Sequence, residues 1–163
     1  MRSFSNLWYW IALATVWSTA SHWVLGVPFD MVTRARRNGG QAEIDLQDMV
    51  RVNVNRLLYI SGVAGLWLIG FVSAVLTALA VLGFWYRVEF AQAVFLIAFP
   101  MTLVGLLSVS TARLILAEDP TDEQLFKRMN RHRHITQVIG MLAIFVTAMW
   151  GMYKNMDTGA FGI

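Results

Sequence analysis

The chain has 163 residues, 57% of them hydrophobic and 14% charged, with a mean hydropathy of +0.55 and a net charge of +3. Soluble domains are nearer roughly 45–50% apolar and about 25% charged, so an ordinary soluble domain of this length is excluded. There is no cysteine, which removes disulfides, thiolate metal centres and cysteine nucleophiles from consideration.

Formal charge is missing from residues 3–29, 57–86, 90–112 and 135–153. Each run is long enough, or nearly so, for the roughly 20 helical residues that cross a ~30 Å hydrocarbon core. None alternates polar and apolar residues as the ~10-residue strands of a membrane barrel do. The expected fold is therefore all-α: a polytopic membrane protein with four transmembrane helices in two long antiparallel hairpins. Helical extensions project on the cytoplasmic side. We place the spans at about 7–27, 57–84, 90–112 and 135–153, within one membrane domain covering 1–163. The arms are about 30–56 and 113–134, and a short tail, read as frayed, covers 154–163.

Span one opens on Trp8, Tyr9 and Trp10, aromatic side chains suited to the headgroup level. Its apolar run is longer than a signal-peptide core, so it reads as a retained membrane helix. After Pro28 and the basic run Arg34, Arg36, Arg37, the sequence Asn38-Gly39-Gly40 predicts a turn. From Gln41 a helix should run straight into span two, which closes on Trp85, Tyr86 and Arg87. The connection to span three is only Arg87 to Glu89, so spans two and three must be antiparallel. Pro100 inside span three removes a backbone donor and predicts a kink. Thr102 is expected to help satisfy the freed carbonyl. Within Asp119-Pro120-Thr121-Asp122-Glu123-Gln124, either Asp119 caps a helix beginning at Pro120 or Thr121 caps one with Gln124 as its partner. That helix should begin outside the membrane and run into span four.

Lys and Arg set the orientation. Arg34, Arg36, Arg37, Arg51, Arg56, Arg113, Lys127, Arg128, Arg131 and Arg133 fall on one side; Arg2, Arg87 and Lys154 fall on the other. By the positive-inside rule the first group is cytoplasmic and both termini are periplasmic. Arg outnumbers Lys 11 to 2, a usage that points to a bacterium and so to its inner membrane. The basic residues flank spans and do not alternate with aromatics, so they do not indicate nucleic acid. They suit anionic lipid headgroups, a soluble partner, or the acids Asp45, Asp48, Asp119, Asp122 and Glu123 on the same side.

Helices in lipid associate through small residues. Stripes at helical spacing are Thr15, Ser18, His22 and Gly26 in span one, and Gly62, Gly70, Ser73, Thr77 and Ala80 in span two. Span three offers Thr102, Gly105, Ser108 and Ala112, and span four Thr136, Gly140, Ala143, Thr147 and Gly151. We take Gly70, Thr77, Gly105, Gly140, Thr147 and Gly151 as packing positions of a bundle core; a pore lining or a partner face is the alternative. The bulky side of span one, with Trp10, Leu13, Trp17 and Val24, is expected to face lipid or another subunit.

His22 is the ionisable group deepest in a span, where polar groups are costly and often functional. It is a neutral imidazole bonded to a neighbouring helix, a haem ligand, a bacteriochlorophyll ligand with the small Ser18 one turn before it, or a proton-relay group, although no Asp or Glu lies within a span to continue a relay. His132-Arg133-His134 suits either a pH sensor or an ordinary basic helix; its spacing does not make a chelate. No metal site and no catalytic residue is indicated, and hydrolase, P-loop and dinucleotide signatures are all missing. The functional expectation is a non-catalytic accessory or assembly subunit of a larger inner-membrane complex, contacting other membrane subunits and lipid. A small oligomeric channel or transporter, and a cofactor-binding protein using His22, are the alternatives.

Overall fold

A computed structural model describes residues 2–160, and their side chains as far as residue 157. Among the described residues the fold is all-α apart from one ribbon of two two-residue strands. Helix α1 spans Leu7–His22, α2 Phe29–Asn38, α3 Gln41–Ala80, α4 Glu89–Glu118 and α5 Asp122–Ala160. A π-helical turn, Val81–Trp85, prolongs α3. Three of these units are long and apolar enough to cross a membrane: Gln41–Trp85, Glu89–Glu118 and Asp122–Asp157.

The first helix is shorter than expected. It has 16 residues, about 24 Å at the helical rise, and stops at His22 although the apolar run continues to Phe29. Two residues impose the stop. Pro28 disfavours the helical region for Val27, and Gly26 adopts a left-handed φ of 75°. Trp23–Val24 and Val27–Pro28 pair antiparallel around Leu25-Gly26. Leu25 also has positive φ, 53°, the double left-handed pattern of the tight hairpin turn. Leu25 pays a steric penalty in that region, offset by burial of its side chain in the adjoining core. At the other end of α1 the Asn6 side chain accepts from the Trp8 N–H at 3.0 Å, a helix cap.

The chain then forms α2, the first helix of the 30–56 arm. Its apolar Val32 and Ala35 are buried, while Arg34, Arg36 and Arg37 are exposed. It ends in the expected glycine turn, with Gly39 and Gly40 at φ of 60° and 56°. From Gln41 one helix of 40 residues runs through arm and span without interruption. Helix α4 continues through Pro100. The Thr102 hydroxyl donates to the Ala98 carbonyl at 2.8 Å, so it does not serve the Leu96 carbonyl that the proline leaves without a donor. Asp119 ends α4 in the left-handed region, φ 40°. Helix α5 begins at Asp122, which leaves Thr121 as the residue before it, its carbonyl accepting from Leu125 N at 2.8 Å. The tail is helical to Ala160; residues 161–163 lie outside the described part.

Two cores hold these elements. In the charged lobe, Val24, Val27, Val32, Ala35, Leu46, Val50, Val54, Ala112, Ile115, Leu125 and Met129 bury one another. In the apolar part, Leu13, Trp17, Val104 and Ala143 join α1, α4 and α5. Helix α3 packs along α4 but contributes to that second core no buried residue. It flanks a three-helix unit.

Candidate functional site

The small residues of α5 form a continuous seat. Thr136, Gly140, Ala143, Thr147 and Gly151 are all buried, and the bulky side chains of α1 fill the groove they leave. A Cβ on Gly140 would stand 2.8 Å from Trp17 Cε3, and one on Gly151 3.2 Å from Trp10 Cζ2. Leu13 and Trp17 are 2% and 5% exposed. The bulky side of α1 therefore faces inward, opposite to expectation. The reason is complementarity: without water to drive association, contact area decides, and large side chains in a glycine groove give more of it than two small stripes. Thr15, Ser18 and His22 consequently point outward, while Gly26, in the hairpin turn, stands against Asn53 of α3.

The other stripes do not meet a helix in the same way. Gly62, Gly70 and Gly105 each have open space where a side chain would stand. Thr77 is exposed, its hydroxyl donating to the Ser73 carbonyl at 2.7 Å. The half-buried positions of α3, among them Ala64, Gly65, Val72, Leu76 and Leu79, lie on a different side of the helix, the one turned to α4. Pro100 itself is buried.

At the end opposite the charged lobe a polar lock joins four elements. Buried Gln92 donates from Nε2 to the Gly83 carbonyl at 2.7 Å and accepts from Trp150 Nε1 at 3.1 Å. Tyr9 donates its hydroxyl to the Ala93 carbonyl at 3.1 Å, and Phe4 N–H donates to Glu89 Oε1 at 2.8 Å. Gln92 was missed in the sequence reading because a single glutamine beside Glu89 reads as a loop-proximal polar residue. The π turn that presents the Gly83 carbonyl to it leaves no local sequence signal.

His22 is at the end of α1, its side chain 48% exposed and its Nε2 3.9 Å from Asp30 Oδ2. Among the described residues no three His, Asp or Glu side chains converge on one point. Most acids of the lobe have partners: Asp48 with Arg51 at 2.8 Å, Glu123 with Lys127 at 2.8 Å, Glu118 with Arg128, and Asp122 with the Gln47 amide. Lys127 lowers the pKa of Glu123 by hydrogen bonding and by its charge. Arg133 stacks its guanidinium 4.0 Å over the Phe29 ring, and its Nε is buried without a partner. Arg34, Arg36, Arg37 and Arg131 are exposed.

His132 is the buried titratable group of this end, 4% exposed, and one turn outside the apolar stretch of α5. Its Nε2 is 3.2 Å from Ser108 Oγ. The Ser108 hydroxyl also lies 2.9 Å from the Val104 carbonyl, to which it donates. Nδ1 has no partner, and neither has Thr136 Oγ1 one turn on, nor Trp17 Nε1. Burial lowers the His132 pKa, because an imidazolium here would be desolvated. The folded chain thus binds fewer protons than the unfolded one. The stability due to a neutral His132 is full above its ordinary pKa of 6.5 and is lost as pH falls through that value. We predict that the thermal midpoint in detergent falls between pH 7.5 and pH 5.5, and that His132→Gln flattens this dependence. An unchanged slope in the variant would remove His132 from the explanation.

Compared with known protein families, with curated proteins and with solved structures, the chain matches none.

Proposed function

We propose that this chain is a non-catalytic accessory or assembly subunit of a larger inner-membrane protein complex. The observation that carries the reading is the outer face of α3. The most apolar stretch of this helix has no buried residue, and Gly62, Gly70, Ser73 and Thr77 line a side with nothing packed on it. Small residues on an open membrane face allow close approach of another helix, and Ser and Thr add interhelical hydrogen bonds. The seat on α5, by contrast, is filled by α1, so it does not offer the continuous open stripe that a pore lining would use.

In this reading α1 is a fourth, short crossing, the charged lobe is cytoplasmic and both termini are periplasmic, as the distribution of Lys and Arg favours. Exposed Arg34, Arg37 and Arg131 would meet anionic headgroups at the lobe's edge.

The test is mild-detergent extraction of the tagged chain from its native membrane, followed by size exclusion, an absorbance spectrum and mass spectrometry. The expected result is a membrane protein co-purifying in fixed ratio, released by Gly70→Leu with Thr77→Leu. Both substitutions point into open space and should leave the chain's own thermal midpoint unchanged. A lone chain, or a complex indifferent to those changes, would end the proposal. A Soret or bacteriochlorophyll band lost in His22→Ala would favour the cofactor-binding alternative.

A further inference from the structure

A groove of about 400 Å³ opens in the charged lobe between the α3 arm and the α4–α5 corner. Val54, Ile115 and Leu125 form its floor, and Asp48, Arg51 and Asp119 stand on its rim. Leu116 marks its edge and is 60% exposed. Gln47 and Asn55 also line it, so polar groups make up about as much of its wall as apolar ones.

The charge of the rim selects the occupant. Arg51 is engaged by Asp48, and Arg128 by Glu118. Asp119 has no side-chain partner among the described residues. It also sits at the C-terminus of α4, where the unpaired carbonyls carry the negative pole of the helix. Helices normally place a cation there, but the last turn of α4 has none and its sequence ends Glu118-Asp119. Backbone and side chain therefore make one electronegative corner beside an apolar floor. Such a corner repels anionic headgroups and attracts a lysine or arginine.

We propose that this groove docks a basic amphipathic segment of a partner protein. An apolar side chain of the segment lies over Val54 and Ile115, and a cationic one, a turn away, meets Asp119 and the end of α4. The proposal rests on the accessory-subunit reading for the existence of a partner, but it concerns a separate surface from the outer face of α3.

The absence of cysteine makes a direct test simple. Asn55→Cys places a label on the groove wall, and Asn130→Cys places one on the exposed side of α5 as a control. Each variant, carrying an environment-sensitive fluorophore in zwitterionic nanodiscs, is titrated with a short helical peptide of leucine and lysine. The same peptide with glutamate for lysine is the second probe. The lysine peptide should give a saturable blue shift at position 55 and none at 130, and the glutamate peptide should give neither. Asp119→Asn, which keeps a residue suited to the left-handed backbone, should weaken the lysine peptide roughly fivefold. Equal responses at the two labels, equal binding of the glutamate peptide, or an unaltered titration in Asp119→Asn would overturn the proposal. If the chain extracts alone, the α3 reading fails, while this titration still decides the groove.

Discussion

With alanine at Gly140, the first helix should part from the last, at a cost of about 2–3 kcal/mol. The new Cβ would lie 2.8 Å from Trp17 Cε3 and 3.1 Å from Cδ2, well inside van der Waals contact. These atoms belong to the body of the indole, so no terminal rotation relieves the clash. The ring is also held among Leu13, Val104 and Ala143, and it is 5% exposed. Close-packed interiors accept such an insertion only by moving backbone. In detergent, size exclusion after stepwise heating should show the midpoint lowered by roughly 5–10 °C. Gly105→Ala is the matched control: open space surrounds that glycine, and its midpoint should stay within about 1 °C. If the two variants melt together, Gly140 is not the seat of Trp17.

A second large effect is expected at the opposite end, from Gly83→Ala. Its Cβ would stand 3.0 Å from the Gln92 backbone nitrogen and 3.2 Å from the Gln92 Cα. Here the obstacle is main chain within a helical first turn, which cannot swing aside. Displacing it also disturbs the two hydrogen bonds of the Gln92 amide, to the Gly83 carbonyl and from Trp150 Nε1. Leaving buried polar groups unmatched adds about 1–3 kcal/mol. We expect a total loss of about 2–4 kcal/mol. Gln92→Leu should cost a similar amount, and because both changes strike one lock, the double variant should cost much less than the sum. Thermal midpoints of the four proteins form the cycle; strict additivity would mean that the π turn and Gln92 act independently.

Much of the architecture was legible from charge alone. Charge-free runs located the long apolar helices, and the glycines after Asn38 marked a turn because only left-handed backbone could follow there. The short link at Arg87–Glu89 made α3 and α4 neighbours, and they pack along one another. Other features depend on neighbours distant in sequence. Nothing local to residues 23–28 distinguishes a hairpin from the end of an apolar helix, except the pairing of Gly26 with Pro28, whose joint meaning depends on the lobe core that receives Leu25. The inward face of α1 was misjudged for a related reason. Both of its sides are apolar or small, and only the shape of α5, with Gly140 and Gly151 at Trp17 and Trp10, decides between them. The α5 residues were recognised as packing positions, but what they pack was not. His22 attracted notice for its depth, yet the shortened helix leaves it at the end of α1 beside Asp30. His132, read as part of a basic run, is the histidine that the fold buries.

The seating of α1 against α5 has a consequence for biogenesis. Helix α1 finds its partner in α5, which is made only after α2, α3 and α4. At synthesis rates of ~5–20 residues per second, the interval between them is on the order of ten seconds. During that interval Trp10, Leu13 and Trp17 have no glycine groove to enter. A chaperone or an insertase surface that shelters this indole-rich face would shorten the exposure, and truncation of the gene before α5 would leave a product that is inserted but persistently unassembled.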